Sequence, residues 1–284
     1  MKKALLLILI ILTANISQGQ VFDTTKNMVK YPGLFDFYYH KGKDRIYMTV
    51  ENPGEDFLYV HSLSAGLGSN DLGLDRGQIG GGAVVYFRKS GEKMLLVQPN
   101  LSYRAVSENQ QERKAVNEAF ARSVLYSFNI LNEKEGKYLV DISDMLFADA
   151  HHVAETLRDK KQGTYSLDKD RSAVELSRTK AFPENVEFDV MLTFSGKPEG
   201  RYVNSVTPDG HNITINQHHS FVKLPDDNYK PRSFHAQSAC IPISYFDFST
   251  PVYEPIRKQF ITRHRLEKKN PELAVSEPVE PIIY

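Results

Sequence analysis

From Val186 to Phe194 every second residue is apolar: Val186, Phe188, Val190, Leu192 and Phe194. Successive side chains on a strand point to opposite faces, so this run buries one face completely only as part of a sheet. Glu187, Asp189, Met191 and Thr193 between them leave the second face mixed. The same period recurs along the chain. Phe35, Phe37 and Tyr39, a turn at Lys41–Asp44, and Ile46, Met48 and Val50 read as a hairpin. Phe57–Val60 is a third strand, entered from Asn52-Pro53-Gly54. Val84–Arg88 and Met94–Val97 flank Ser90-Gly91 as a second hairpin, ended by Pro99. Tyr138–Ile142, Tyr165–Leu167, Ala173–Leu176 and Ile243–Phe248 add further strands. Asn212–Asn216 and His219–Lys223 read as two more around the polar Gln217-His218.

Two or three helices interrupt this pattern. Over residues 109–128, Val116, Phe120 and Val124 recur at steps of four, which predicts one buried helical face. Ser143 or Asp144 caps a brief turn, and His151–Lys160 is a further helix. Many antiparallel strands with a few inserted helices predict an α+β fold dominated by antiparallel sheet. Strand and helix do not alternate regularly, which argues against a doubly wound nucleotide-binding sheet. No internal repeat is visible. Two subdomains with a split near residue 160 fit the change of pattern there.

Lys2 and Lys3, the apolar run Ala4–Leu12 and the small polar stretch Thr13–Gln20 follow the order of a secretory signal peptide. The run is short for a permanent membrane span. Ser17 and Gly19 suit a cleavage site, so residues 1–19 read as the leader. No Cys follows the run, which argues against a lipid anchor. The chain is therefore expected to be exported, to the periplasm or beyond, with no membrane attachment after cleavage. Its one cysteine, Cys240, permits no intramolecular disulfide or Cys-based zinc site and reads as a buried thiol. Lys plus Arg and Asp plus Glu number 35 each, so no overall basic field attracts nucleic acid. The basic segment Arg257–Lys269 carries interleaved apolar residues and reads as a solvated or interdomain face.

Catalytic signatures are absent. None of the nine histidines is followed by Glu, so there is no His-Glu-x-x-His zinc helix, and no Gly-x-Ser-x-Gly elbow occurs. The densest loop, Ser64–Gly82, is rich in glycine and breaks both the dinucleotide fingerprint and the P-loop pattern. Its Asn70, Asp71 and Asp75 offer oxygens, though not at EF-hand spacing, and Arg76 is expected to anchor it through its planar fork. Positive φ angles are expected among Gly66, Gly68, Gly73 and Gly77. His218 and His219, adjacent on a strand, should point to opposite faces, one inward and one outward, and so do not chelate one metal. His151 and Glu155 share a helical face and read as a surface pair. Candidate binding residues are thus Asn70, Asp71, Asp75, Arg76, His218 and His219, with no catalytic residue and no metal ligand.

Several longer stretches carry a resemblance. They are Ser62–Gln78, Asp141–Ala150, Arg171–Pro183, Gln217–Pro225, and Arg263–Pro271 with Val275–Pro278. Together, from about Lys26 to Tyr284, they resemble the N-terminal region of large secreted bacterial zinc-dependent metalloproteases of the metzincin-like type. In that family this region is a domain of unknown function, and the catalytic domain with its zinc helix follows it. The resemblance implies a β-rich non-catalytic region over residues 20–265 and a Pro-rich linker over 266–284, extended and poor in contacts. It implies a truncated or fragmentary module that supports folding or substrate binding of a catalytic domain in cis, with peptide or protein as substrate. No cofactor is expected in this chain, the zinc belonging to the catalytic domain of relatives. The alternative is an autonomous exported protein that binds peptide or glycan.

Overall fold

The computed structural model describes residues 22–226, 228–262 and 267–279. The leader expected over residues 1–19 lies outside the described residues. The fold is α+β and dominated by antiparallel sheet. Its strands are β1 (Val29–Tyr31), β2 (Phe37–His40), β3 (Arg45–Val50), β4 (Asp56–Ala65), β5 (Ile79–Ser90), β6 (Lys93–Gln98), β7 (Tyr103–Arg104), β8 (Ser123–Lys134), β9 (Lys137–Asp141), β10 (Gly163–Val174), β11 (Lys180–Ala181), β12 (Asn185–Pro198), β13 (Asn212–Lys223), β14 (Pro242–Asp247) and β15 (Arg257–Ile261). The helices are α1 (Gln110–Ala119), α2 (Ser143–Leu146), α3 (Val153–Asp159) and α4 (Arg201–Val206).

The chain forms two compact units that interleave in sequence. The first takes residues up to Val97 and Val124–Lys223, the second Gln98–Ser123 and Leu224–Tyr284. Lys160 falls inside the first unit, where α3 packs on β10, so the division does not lie near residue 160.

In the first unit the strands pair in the order β1-β2-β3-β9-β8-β6-β5-β4-β13-β12-β10, with β11 also on β12. So many twisted strands in one row must curl to bury their apolar face. Phe37 of β2 accordingly meets Phe188 of β12 at 5.2 Å, far along the strand order. Phe35 meets Phe57 and Phe221 in the same way. Two bonds fasten the ends together, Leu34 N–H to the Phe182 carbonyl at 2.7 Å and Val174 N–H to Asp44 Oδ2 at 3.0 Å. Val186, Phe188, Val190, Leu192 and Phe194 are all fully buried, as their alternation requires. β13 runs unbroken through Gln217 and His218, where two strands were expected, because Gln217 is itself fully buried and bonded.

The second unit places β7, β14 and β15 in a small sheet beside α1. The helix expected over 110–128 ends at Ala119. Phe120 is extended, at φ −118° and ψ 122°, and Val124 already belongs to β8, where it is 54% exposed. Steps of four are also steps of two, and Tyr126, Phe128 and Ile130 continue the strand phase. Phe120 instead stacks on Tyr103 at 3.9 Å, and Val116 alone of the three is buried. Cys240 is half-buried. Within the expected linker, Lys269 N–H bonds the Glu277 carbonyl and Val279 N–H that of Glu267, so residues 267–279 fold back on themselves.

Two loop glycines separate two kinds of glycine requirement. A Cβ on Gly66 would lie 2.2 Å from the Leu74 carbonyl oxygen and 2.6 Å from the Asp75 carbonyl carbon, both backbone atoms without freedom to yield. Gly68 has open space but a φ of +75°. Gly66→Ala is expected to cost about 2–3 kcal/mol through overpacking, and Gly68→Ala about 1 kcal/mol through backbone strain alone. Urea denaturation of both variants checks the order.

Candidate functional site

β13 lies between β4 and β12, and its register fixes the candidate histidines. His219 is paired with His61 on one side and Phe188 on the other, while His218 is paired with Ser62 and Asp189. Pleating sends the two imidazoles to opposite faces. His219 is fully buried and His218 half-buried, the divergence expected from adjacency on a strand.

The inward ring sits in a neutral network. Gln217 is oriented by two backbone groups, its Oε1 accepting from His151 N–H at 3.0 Å and its Nε2 donating to the Ala148 carbonyl at 2.8 Å. Its remaining N–H lies 2.9 Å from His219 Nε2, and the Leu146 carbonyl lies 3.3 Å from the same nitrogen. His219 Nδ1 lies 2.9 Å from the Tyr59 hydroxyl. Burial pushes the His219 pKa down to about 3. Burial likewise pushes the Tyr59 phenol well above its ordinary value.

The outward ring is a charged clamp. His218 Nε2 is 2.7 Å from Glu187 Oε2, and Nδ1 is 3.1 Å from Asp189 Oδ2. Two carboxylate partners make both nitrogens donors, so the ring is an imidazolium. Burial favours the neutral form, but hydrogen bonds to Asp189 and Glu187 outweigh it and push the pKa up to about 9. Both carboxylates are held below their ordinary range despite burial, chiefly by bonds from His218. Ser220 Oγ donates to Glu187, and Asn216 Nδ2 donates to Asp189 Oδ1 at 3.0 Å.

Beside this wall the glycine-rich loop touches the histidines through its backbone. Gly81 N–H donates to His61 Nε2 at 3.0 Å. A Cβ on Gly80 would lie 2.2 Å from His61 Nδ1 and 2.9 Å from His151 Nδ1, so only glycine lets the chain pass between these rings. His61 Nδ1 and His151 Nδ1 are both buried and have no hydrogen-bond partner among the described residues, on rings whose centroids lie 5.4 Å apart. Burial, and then the neighbouring His151 and His152, lower His61 to about 4. Among the described residues, no three His, Cys, Asp or Glu side chains come together to hold a metal ion.

The loop itself is held otherwise than expected. Leu67, Leu72 and Leu74 are buried, and Leu67 N–H bonds the Leu74 carbonyl at 2.7 Å. Asn70 opens a short 3-10 turn closed by Gly73 at φ 64°. Gly68, Gly73 and Gly77 have positive φ, and Gly66 does not. Asp75 Oδ1 accepts from Gln78 Nε2 at 2.7 Å, and the Asp71 carbonyl accepts from Lys160 Nζ at 2.7 Å. Arg76 is exposed and makes no bond to another described side chain, so leucine burial and backbone bonds, not its guanidinium, anchor the loop. None of Asn70, Asp71, Asp75 and Arg76 bonds to His218 or His219. Glu155 pairs with His152 and Arg158 rather than with His151.

Sequence reasoning missed Glu187, Asp189, Tyr59, His61 and Gln217. The available signal was parity: Glu187 and Asp189 share the mixed face of one strand, and His218 and Ser220 share a face of another.

With this geometry in view, residues 77–269 match the family described as Domain of unknown function (DUF5117). The match covers well over half of the chain, which belongs to that family. Searches of curated proteins and of solved structures find no match.

The two rings dictate the pH dependence of stability. His218 is raised from 6.5 to about 9, so its contribution is complete below pH 6.5 and is lost as pH rises towards 9. His61 and His219 are lowered from 6.5, so the unfolded chain takes up protons that the folded chain refuses, and stability falls as pH drops below 6.5. Melting temperature is expected to peak near pH 6.5. In His218→Gln the decline between pH 6.5 and 9 should vanish while the acid decline persists. Thermal melts from pH 4 to 9.5 on both proteins check this.

Proposed function

We propose that this chain is the non-catalytic N-terminal module of an exported zinc-dependent metallopeptidase, supporting the folding or substrate binding of its catalytic domain. The observation that carries the reading is the composition of the second unit. Val116 and Asp247 are its only side chains among the buried described residues, while Ile241 is 87% exposed, Ile243 60%, Tyr253 86%, and Val252 and Val275 fully or nearly so. A unit that size gains little from so thin a core, and exposed apolar residues in such number mark a surface that another protein covers. A catalytic domain in the same polypeptide supplies that cover. The histidines support the reading differently, since the nitrogens of His218 and His219 are already spent on internal bonds. In this reading zinc and proteolysis belong to the catalytic domain, and the chain is delivered to the periplasm or beyond.

Co-expression with the catalytic domain of a full-length relative tests the role. The soluble yield or casein-cleaving activity of that domain is expected to rise several-fold in the presence of the chain. Ile241→Lys combined with Tyr253→Lys should abolish the gain while leaving the melting temperature of the chain within about 1 °C, because both side chains are exposed. A catalytic domain equally soluble and active alone would overturn the proposal.

A further inference from the structure

Strand β5 is paired on both sides only over its second half. β4 runs beside it from Asp56, opposite Tyr86, to Ser62, opposite Ile79. β6 pairs with it only from Ser90 back to Tyr86 and ends at Gln98. Among the described residues no other strand joins that side, so Ile79–Val84 presents an unpaired edge. The direction of its backbone groups follows from their neighbours. The Phe87 carbonyl accepts from Gly54 N–H at 2.7 Å on the β4 side, and Gly81 N–H likewise turns to His61 of β4. Successive residues of a strand direct their N–H and C=O groups to alternate sides. Those of Gly82 and Val84 therefore face away from β4, towards solvent.

Native sheets guard such an edge with charge, proline, a bulge or a covering segment. The stretch Ile79–Val84 carries no charge and no proline, while Arg88 and Lys89 of the same strand sit on the half that β6 already covers. The register shift between Val60 and Ser62 sets Gly80 and Gly81 opposite His61 and leaves Gly82 in the regular ladder, opposite Val60. Gly81 and Gly82 are exposed, and Ile79 is 75% exposed. Gly80 is glycine because the rings of His61 and His151 leave no room for a Cβ. Gly82 has no such reason within the fold. A Cβ there would meet only Val60 Cγ2 at 3.5 Å and the Tyr59 carbonyl oxygen at 4.0 Å, both ordinary contacts, and its φ is not in the left-handed region. A glycine that a strand does not itself require marks a place where another backbone comes close.

We propose that the Ile79–Val84 edge binds an extended peptide as an added strand. The peptide main chain takes up the N–H and C=O groups of Gly82 and Val84, and an aromatic or β-branched side chain lies over the bare backbone of Gly82. The alternating donors and acceptors of a strand edge are matched by another extended main chain. A helix has already spent its own backbone groups internally. An anion would use the donors and leave the carbonyls unpaired. A second copy of the chain would contribute only the same short strip, far below the roughly 1,200–2,000 Å² that a stable dimer buries. The proposal goes beyond the supporting role above and needs no catalytic domain. Peptide binding by the chain alone decides it, whatever the co-expression experiment shows.

The test titrates the purified, isotope-labelled full chain with N-acetyl-Thr-Thr-Phe-Thr-Thr-amide and follows backbone amides by NMR. Binding should saturate, with a dissociation constant on the order of 1 mM or below. At a peptide concentration about tenfold above that constant, hydrogen exchange at Gly82 and Val84 should slow by about tenfold. Gly81 and Ala83, which face β4, should keep their rates. Gly82→Pro removes an N–H that bonds nothing within the sheet, a position where an edge strand tolerates proline. It should leave circular dichroism unaltered and weaken the peptide about tenfold or more. The exchange pattern of the unaltered protein decides the matter even if that variant misfolds. No saturable binding up to about 10 mM, or saturation without slowing at Gly82 and Val84, would overturn the proposal. So would a dimer in sedimentation whose Gly82 and Val84 amides are already protected without peptide, since a second copy would then hold the edge.

Discussion

Strand β13 cannot slip by one residue, and much of the first unit depends on that. Its side chains alternate between a buried apolar and neutral set, Ile213, Ile215, Gln217, His219 and Phe221, and a polar set that includes Asn216, His218 and Ser220. A slip would exchange the sets. The imidazolium of His218 would enter the core, and Glu187 and Asp189 would lose it. Removing one partner from a buried ion pair costs roughly 3–5 kcal/mol, against typical whole-domain stabilities of about 5–15 kcal/mol. The clamp thus acts on register more than on net stability, because burying the pair costs desolvation that its attraction largely offsets.

The inner face of the same strand ties the sheet to its helical insertion. Gln217 bonds the Ala148 carbonyl and the His151 N–H, fixing the segment between α2 and α3 against the sheet. One residue away, Asp149 caps α3 through Val153 N–H at 2.8 Å and Ala154 N–H at 3.0 Å. A carboxylate at a helix N-terminus also meets the positive end of the helix dipole. His151 is delivered to His61 by this anchoring, and Gly80 supplies the clearance.

What the sequence discloses follows from the range of the interaction. The β2–β3 and β5–β6 hairpins and the alternation in β12 are set by neighbours in the chain, and they were readable. So was the divergence of His218 and His219, since pleating is local. The glycines at 68, 73 and 77 announced positive φ for the same reason, whereas Gly66 is required by a distant carbonyl. The overrun of α1 arises because Val116, Phe120 and Val124 satisfy both helical and strand spacing, and only the stacking of Phe120 on Tyr103 decides between them. Arg76 has the chemistry of an anchor but no partner within reach, a fact about tertiary placement. The clamp needs to be known as β12 beside β13 in one register, and sequence parity alone does not select that pair. The interleaving of the two units is wholly long-range, so no local change of pattern marked it.

Partnership then separates scaffold from surface. His218 and His219 differ in pKa by several units although they are adjacent, because one faces two carboxylates and the other an amide and a phenol. Both outcomes consume the nitrogens that would otherwise perform chemistry. A histidine with every ring nitrogen engaged inside the fold has little left to offer a ligand without breaking the bonds that orient it. The exposed Ile241, Val252 and Tyr253 of the second unit are not engaged inside the fold in this way.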